Sequence, residues 1–365
     1  MLKLSISGGY YEDEYTPCLF HHETRPTKFV LVVDDLGIKV HSDDDLQHLA
    51  SCIGTVWKTK VDTEGKKFLG MNLKWEYDRP LPRLTIDAPN VVPAAIKRFC
   101  PNGPPKSRPS PTIPPKSDFD KPNTLSHDPT PVPDKKQFVQ EVCGTFSHYS
   151  RVVDYSMLTA VNNISQSQSN PTTDTIAALD RLLGYAKTHP CNKIIYEASD
   201  MQLRTMYDAS FQSLPNGRSR IGHIQYLANT KDPNNLVRNI VHANSQVLRM
   251  TPAHIVEAEY GSAFESGQAT IPTINTLESL GHRQGPVKFF GDNDITIGIS
   301  NDGVKQKRTK AIEKSYHWFR DRCRIGDFIS LHIPGKENVS DYFTKNVSVQ
   351  RHNELIPKII FIPSS

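Results

Sequence analysis

Apolar runs in the first hundred residues predict strands, with one helix between them and a short helix at 93–99, where proline is permitted in the first turn. The runs 29–33 and 36–40 are rich in apolar and β-branched residues and flank polar residues that tolerate a tight turn, so they predict a β-hairpin. In 42–57, apolar residues recur three and four positions apart behind an acidic first turn, which is typical of a capped helix. The runs 68–73 and 84–86 predict two further strands.

The middle of the chain changes composition twice. Residues 101–133 are mostly Pro, Ser, Thr, Asp and Lys, and so few apolar residues cannot offset the entropy of ordering the segment. We therefore expect an extended, mobile linker there. Residues 136–189 then carry three apolar stripes with helical spacing, and the last stripe is stopped by His189-Pro190.

From Ile194 onward, strand and helix patterns alternate. The predicted elements are, in order, strands at 203–207, 219–227 and 236–243, a helix that carries 255–265, a strand at 287–290, a helix at 310–324, a strand at 328–333 and a helix at 338–345. This succession predicts an α/β unit built around a mixed central sheet.

Composition sets bounds on this picture. The chain of 365 residues is long enough for two or more domains, and its formal net charge of +4 is compatible with a nucleic-acid partner without indicating one strongly. The six cysteines form no C-x-x-C pair, which argues against a zinc site or a disulfide framework. No apolar run approaches the roughly 18 residues that span a bilayer. We therefore expect a cytoplasmic or nuclear protein without a membrane partner.

Four acidic residues lie where the α/β pattern brings strand ends and helices together. Asp208 ends the first strand, Glu259 lies on the first helix, Asp292 ends the fourth strand and Asp341 opens the last helix. If they converged, they would repel one another, and two Mg²⁺ ions about 4 Å apart would neutralise them and form a centre for phosphodiester hydrolysis. The spacing alone is equally compatible with ordinary turn and cap residues.

The hairpin between 29–33 and 36–40 carries a second acidic pair, Asp34 and Asp35, at its tip. Adjacent aspartates are common in solvent-exposed turns. Carboxylate oxygens are also the ligands that Mg²⁺ prefers. Both interpretations are open from these residues alone.

Short motifs in a fixed order resemble one known family. The segments are Thr16-Pro17-Cys18-Leu19-Phe20, Val33-Asp34-Asp35, Phe68-Leu69-Gly70-Met71, Leu84-Thr85-Ile86, Arg151-Val152-Val153-Asp154, Ala160-Val161-Asn162, Tyr207-Asp208-Ala209, Ser219-Arg220-Ile221-Gly222-His223, Glu257-Ala258-Glu259-Tyr260, Gly291-Asp292-Asn293 and Asp341-Tyr342-Phe343-Thr344-Lys345. Together they resemble the C-terminal part of the Pol polyprotein of copia-type LTR retrotransposons, from the end of the reverse transcriptase through the ribonuclease H.

The resemblance implies a plan of four parts. A truncated reverse-transcriptase palm and thumb segment would occupy 1–100, a Pro-rich flexible linker 101–135, a helical connection 136–192 and a ribonuclease H-like domain 193–365. The implied fold class is α/β and α+β: a partial palm, a helical connection, and a mixed five-stranded sheet with helices.

The resemblance also implies an enzyme that cleaves RNA in RNA–DNA hybrids. Asp208, Glu259, Asp292 and Asp341 would bind two Mg²⁺ ions, with Mn²⁺ as a possible substitute, and Glu259 is favoured over Glu257 as the acid on the helix. Asp34 and Asp35 would be catalytic, metal-binding acids of a polymerase palm. The implied partners are the RNA–DNA hybrid and the missing N-terminal part of Pol.

Departures from the family pattern affect mainly the polymerase half. Val32 replaces the tyrosine of the family's Y-V-D-D, and a further palm aspartate, which the family has well upstream, is not provided by the 28 or so residues before the hairpin. We therefore expect a truncated or diverged copy, or a fragment of a longer Pol, with incomplete polymerase function. The alternative is a catalytically inactive remnant that binds nucleic acid.

A basic run near the C-terminal helix provides possible phosphate contacts. Its members are Lys305, Lys307, Arg308, Lys310, Lys314, Arg320, Arg322 and Arg324. Such a run is equally often only a solvated face. His317 and His332, which lie nearby, are expected to be structural.

Overall fold

The computed structural model describes residues 8–55, 57–114, 129–231, 237–303 and 316–363. Three sheets are present in these ranges, and each is described below with the helices that cover it. None of the helices in the described ranges is long and apolar enough to cross a membrane. The cytoplasmic or nuclear location stays a prediction.

The first sheet is an antiparallel meander that contains the predicted hairpin. Its strands are β1 (Tyr10–Glu12), β2 (Leu19–His22), β3 (Lys28–Val32) and β4 (Asp35–Lys39). Helix α1 (Asp43–Gly54) packs on it through Leu49 and Ile53, and Ser42 caps the helix by accepting a hydrogen bond from the Asp45 backbone N–H. The hairpin and the acidic helix start are confirmed. Val56, in the predicted helical stripe, lies outside the described residues.

The second sheet joins distant parts of the chain. It consists of β5 (Lys67–Phe68), β6 (Met71–Glu76), β7 (Arg83–Asp87) and β8 (Lys193–Glu197), and β7 pairs antiparallel with β8. The strand pattern at Ile194 therefore does not open the C-terminal sheet. The predicted boundary at residue 193 places β8 with the ribonuclease H-like part, whereas its backbone pairs with the N-terminal part.

Four helices share the next core. Helices α2 (Val91–Phe99), α3 (Lys136–Val152), α4 (Leu158–Gln166) and α5 (Thr173–Thr188) bury their apolar stripes against one another. The predicted helical connection is thus present, and it includes residues from the first hundred. The assignment of 1–100 to a palm and thumb segment stays a prediction.

Part of the predicted flexible linker is packed on helix α5. The Arg108 backbone N–H donates to the Gly184 carbonyl (3.3 Å), and the Arg181 guanidinium donates to the Ser110 hydroxyl (2.8 Å). Ser110 is fully buried, and a Cβ atom at Gly184 would collide with the Lys106 carbonyl oxygen. Residues 106–112 are therefore held by specific contacts, and the expectation of a mobile segment is wrong for them. Residues 115–128 of the linker lie outside the described residues.

The third sheet is the mixed five-stranded sheet that the sequence predicts. Its strands are β9 (Gln202–Ser210), β10 (Arg220–Ala228), β11 (Ile240–Val247), β12 (Val287–Gly291) and β13 (Phe328–His332), in the spatial order β11-β10-β9-β12-β13. The first three strands are antiparallel, and β12 runs parallel to both β9 and β13.

Helices cover both faces of this sheet. One face is packed by α6 (Ile255–Ser279) and α8 (His317–Ile325), and the other by α9 (Asp341–Thr344) and α10 (Val349–Ile359), while α7 (Asp294–Ser300) follows β12 directly. Residues 310–315 of the predicted helix 310–324 lie outside the described residues, and the described part of that stretch forms α8 from His317. The predicted helix 338–345 is shorter, and α10 has no counterpart in the prediction.

Candidate metal centre

Parallel pairing of β9 and β12 brings two of the four acids to the same sheet edge. Phe290 pairs with Met206, and Asp292 and Asp208 each stand two residues further along. Helix α6 crosses this edge, and its Ser262 hydroxyl donates to the Asp208 carbonyl (2.7 Å), which fixes the helix against the strand. Glu259 lies one turn earlier on the same helix. One carboxylate oxygen from each of Asp208, Glu259 and Asp292 lies within 4.8 Å of the others.

Burial and mutual repulsion raise the pKa values of the three acids in this cluster, and Lys345 only partly offsets them. Burial raises the pKa of Asp208 to about 8, helped by the nearby Asp341 and Asp292 and opposed by Lys345. Burial and the charge of Asp208 raise the pKa of Glu259 well above its ordinary value. Burial and Asp341 raise the pKa of Asp292. Three acids with raised pKa values in one buried cluster fit a site for a cation.

Glu259 gives a direct test of whether the residues fit a metal ion. Its Oε2 atom is buried and has no hydrogen-bond partner among the residues that the structure describes. A buried carboxylate oxygen without a donor is costly, and a divalent cation would satisfy it. With the oxygens of Asp208 and Asp292 in reach, the donor set consists of hard oxygen ligands. The residues therefore fit a divalent cation such as Mg²⁺.

Asp341 stands beside this group but outside it. Its Oδ1 atom forms an ion pair with the Lys345 ammonium group at 2.6 Å. Asp341 is the first residue of α9, and Lys345 follows the last one. Burial alone would lower the pKa of Lys345, but the charges of Asp208 and Asp341 outweigh burial and raise it. The fourth acid is thus near the other three and is already paired with a protein cation.

Helix α9 also contacts Asp208 directly. The Thr344 hydroxyl donates a hydrogen bond to Asp208 Oδ2. The helix approaches β10 so closely that a Cβ atom at Gly222 would lie 2.7 Å from the Phe343 Cβ atom. Glycine at position 222 therefore sets how near α9 comes to the carboxylates.

Asn338 joins the loop before α9 to the strand that carries Asp208. Its side-chain N–H donates to the Tyr207 carbonyl (3.0 Å), and its Oδ1 accepts from the Ser340 backbone N–H (3.2 Å). Asn338 is fully buried. Asp208 and Asp341 are consequently held at a fixed separation.

Thr344, Lys345 and Asn338 were not singled out as site residues from the sequence. The only available signal was their position beside Asp341, with Lys345 four residues after an acid, as in ordinary helical ion pairs. Their contacts depend on how α9 packs on the sheet, which local spacing does not reveal.

Glu257 and Glu259 have different surroundings, and only Glu259 belongs to the three-acid group. Glu257 accepts a hydrogen bond from the Ala253 backbone N–H (2.7 Å) just before α6. It therefore stabilises the start of the helix. This arrangement agrees with the preference for Glu259 from the motif.

Asp34 and Asp35 lie at the exposed tip of the β3–β4 hairpin, as one of the two interpretations expects. Asp35 Oδ2 accepts a hydrogen bond from the Leu69 backbone N–H (3.2 Å), and the preceding Val33 has a left-handed φ of 57°. Across the described residues, no group of three metal-ligating side chains includes either aspartate. The structure does not bring them to the other four acids.

The described part of the basic run is engaged by acids. Arg320 and Arg324 lie 3.6 and 3.5 Å from Asp302, and Arg322 lies 2.9 Å from Asp327. Lys305, Lys307, Arg308, Lys310 and Lys314 lie outside the described residues. The three arginines thus have partners other than phosphate.

The fold and the site together define a class. A mixed sheet in the order β11-β10-β9-β12-β13, with acids at the ends of β9 and β12 and on α6, is a ribonuclease H-like arrangement. The chain is similar to copia-type, retrovirus-related Pol polyproteins, as its motifs indicated. This is consistent with a C-terminal fragment of Pol.

The sequence relatives are two plant transposon proteins. The chain is 25% identical over 189 residues to the retrovirus-related Pol polyprotein from transposon TNT 1-94 of Nicotiana tabacum, a match that covers 52% of this chain and 14% of the relative. It is also 25% identical over 203 residues to the retrovirus-related Pol polyprotein from transposon RE1 of Arabidopsis thaliana, a match that covers 55% of this chain and 13% of the relative. The chain thus spans about a seventh of the length of these relatives. No family model matches it.

Solved structures with a similar arrangement are ribonuclease H domains. RNase H1 from Halobacterium salinarum NRC-1 covers 39% of this chain and 94% of its own length at 15% identity, with a TM-score of 0.28. LC11-RNase H1 in complex with an RNA/DNA hybrid matches 43% of this chain and 97% of its own length at 17% identity, with a TM-score of 0.27.

Proposed function

We propose that the chain hydrolyses the RNA strand of RNA–DNA hybrids in a reaction that depends on a divalent cation. The observation that carries the proposal is the convergence of Asp208, Glu259 and Asp292 at one edge of a ribonuclease H-like sheet. The sequence similarity to retrovirus-related Pol polyproteins supports the same substrate class.

The proposed roles follow from the contacts. Asp208, Glu259 and Asp292 would hold the cation, and Mg²⁺ suits their oxygen ligands, with Mn²⁺ as a substitute. When bound, a divalent ion lowers the pKa of an attacking water and stabilises charge on the phosphate. Ser262 and Asn338 keep Asp208 in position through the backbone of β9. Asp341 would act through its neighbours, because Lys345 already engages it.

The decisive experiment is cleavage of an end-labelled RNA–DNA hybrid by the full chain in Mg²⁺. We expect cleavage that is lost on Asp208→Asn, because the substitution removes a metal-binding charge and leaves the shape of the side chain. Asp294→Asn is the matched control, since Asp294 is an exposed acid at the start of α7 and lies outside the three-acid group. Cleavage that persists in Asp208→Asn would refute the site assignment.

The alternative is a catalytically inactive remnant that binds nucleic acid. Binding of the hybrid without cleavage in either Mg²⁺ or Mn²⁺ would favour it over the enzyme. The position of Asp34 and Asp35 already supports this view for the polymerase half, because no third ligand joins them among the described residues. We propose that these two aspartates record ancestry and form no polymerase site with the residues that the structure describes.

A further inference from the structure

Two consecutive residues of this chain contact two of the four acids, one through a hydrogen bond and one through an ion pair. Thr344 donates its hydroxyl to Asp208 Oδ2, and Lys345 places its ammonium group 2.6 Å from Asp341 Oδ1. Both donors come from α9 or the residue that follows it, and the helix is fixed in place by its close contact with Gly222. The side chain of Asp341 is 18% exposed to solvent, and that of Lys345 is 38% exposed. The ion pair is therefore partly shielded from solvent.

These contacts bear on how many metal ions the centre can hold. In a two-metal site the ions lie about 3.5–4 Å apart and share carboxylate ligands. A second ion here, beyond the one held by Asp208, Glu259 and Asp292, would need ligands from Asp341 as well. The Lys345 ammonium group lies against one oxygen of Asp341, and Thr344 donates to one oxygen of Asp208.

Charge repulsion acts in the same direction. An ion bound to the Asp341 carboxylate would lie next to the Lys345 ammonium group, and two positive charges a few ångströms apart in a partly buried site repel strongly. The ammonium group also interacts favourably with Asp208 and Asp292, which a second ion would otherwise neutralise. The lysine thus already supplies positive charge on that side of the cluster.

We propose that this centre holds one divalent cation, bound by Asp208, Glu259 and Asp292, and that the Lys345 ammonium group takes the place of a second. The inference deepens the proposed function and rests on it for the identity of the site. It departs from the two Mg²⁺ ions that the family resemblance implies.

The test is a count of Mn²⁺ ions bound by the full chain, followed by the electron paramagnetic resonance signal of free Mn²⁺. Loose surface sites are subtracted by measuring Asp208→Asn in parallel. We expect one specific ion for the unmodified chain, two for Lys345→Met, and one for Lys345→Arg, which retains the charge. Lys97→Met, on helix α2 far along the chain from the cluster, is the matched control and should retain one ion.

Each outcome decides the proposal. Two specific ions in the unmodified chain would overturn it, whether or not the variants fold, and one ion in a folded Lys345→Met would overturn the role of the lysine. Thermal unfolding followed by circular dichroism checks the fold of each variant. The count is independent of cleavage. One ion without hydrolysis would contradict the proposed function alone, and two ions with hydrolysis would contradict only this inference.

Discussion

At the scale of single residues, a buried carboxylate that faces other carboxylates weakens the folded chain until a cation offsets it. Asp208 is 2% exposed and lies among Glu259, Asp292 and Asp341. Its backbone is held by Ser262, and its side chain by Thr344, so it cannot turn away from its neighbours. The site therefore stores repulsion that metal binding would relieve.

The first prediction concerns this repulsion. Without divalent ions at pH 8, we expect Asp208→Asn to raise the free energy of unfolding by about 1–3 kcal/mol, because a neutral side chain replaces a buried charge. Mg²⁺ should then stabilise the unmodified chain more than the variant. Thermal unfolding with and without Mg²⁺ measures both effects. A variant that is less stable than the unmodified chain without metal would contradict this account.

Asp154 is a second buried acid, with a structural role. It is fully buried, and it accepts hydrogen bonds from the Ser156 backbone N–H (3.1 Å) and the Asn192 amide (2.8 Å). Burial raises its pKa from 3.8 to about 6, even though these hydrogen bonds oppose the shift. The residue belongs to one of the family-like motifs, and in this structure it links the turn before α4 to the residue before β8.

The second prediction is a pH dependence from Asp154. A carboxyl whose pKa is higher in the folded state binds its proton more tightly there, so the protonated group stabilises the folded chain. This contribution to the free energy of unfolding is full below about pH 4 and is lost as the pH rises through 6. The loss amounts to about 3 kcal/mol. Asp154→Asn should remove this dependence. If the Asn192 amide flips, the new amide can donate to Asn192 Oδ1, a buried atom that has no partner within the described ranges.

Urea unfolding of both proteins from pH 4 to 7 measures the difference. We expect the free energy of unfolding of the variant to rise relative to that of the unmodified chain by about 2–2.5 kcal/mol over this range, because part of the effect is already lost at pH 4. Between pH 7 and 8 the difference should not change further. A constant difference across the whole range would show that the ionisation of Asp154 is not linked to folding.

At the scale of elements, the position of the short helix α9 relative to the sheet decides the geometry of the site. A glycine is needed at position 222 because a Cβ atom there would lie 2.7 Å from the Phe343 Cβ and 3.0 Å from the Phe343 carbonyl carbon. The same helix supplies Asp341 and Thr344. Packing of one helix against one strand thus sets the distance between Asp208 and its donors.

The third prediction follows from this close packing. Gly222→Ala should lower the free energy of unfolding by about 1–3 kcal/mol through overpacking, and it should weaken Mn²⁺ binding because α9 moves away from Asp208. Gly144→Ala is the control: a Cβ atom at Gly144, inside α3, meets nothing within 4 Å. It should be stabilising by roughly 0.5–1 kcal/mol. Unchanged Mn²⁺ affinity in Gly222→Ala would argue against a positioning role for α9.

Elements with local signals could be predicted from the sequence, and elements that depend on distant partners could not. The β3–β4 hairpin follows from β-branched runs around two aspartates, and it is present. The pairing of β8 with β7 joins residues more than a hundred positions apart, and no local pattern specifies that partner. The segment 106–112 has a linker composition, yet it docks on α5 because Gly184 leaves room for its backbone.

The same distinction holds for the candidate site. The acids Asp208, Glu259 and Asp292 could be selected because strand ends and motif order point to one sheet edge, and the structure brings them together. The ion pair of Asp341 with Lys345 could not be anticipated, because an acid and a lysine four residues apart are ordinary on any helix. This ion pair bears on metal binding only because Asp208 and Asp292 lie next to it.

At the scale of the whole molecule, the helical connection is part of the structure that supports the site. Thr159 on α4 donates to the Tyr342 carbonyl of α9 (3.1 Å), and the Tyr342 hydroxyl donates to the Ser156 carbonyl (3.0 Å). Tyr155 and Leu158 are buried in the same core as Tyr342. A boundary at residue 193, as the sequence predicts, would cut through this core.

The last prediction is that residues 193–365 alone are much less stable than residues 129–365. Removing the connection takes Tyr155 and Leu158 out of the core that they share with Tyr342, and burial of each such side chain contributes about 1.5–3 kcal/mol. Both chains lack β7, the partner of β8, so their comparison isolates the effect of the helices. We expect the shorter chain to lose at least about 3 kcal/mol in urea unfolding, and to bind Mn²⁺ more weakly because α9 loses its support. Equal stability and equal Mn²⁺ affinity would mean that the ribonuclease H-like part is an independent unit from residue 193 onward.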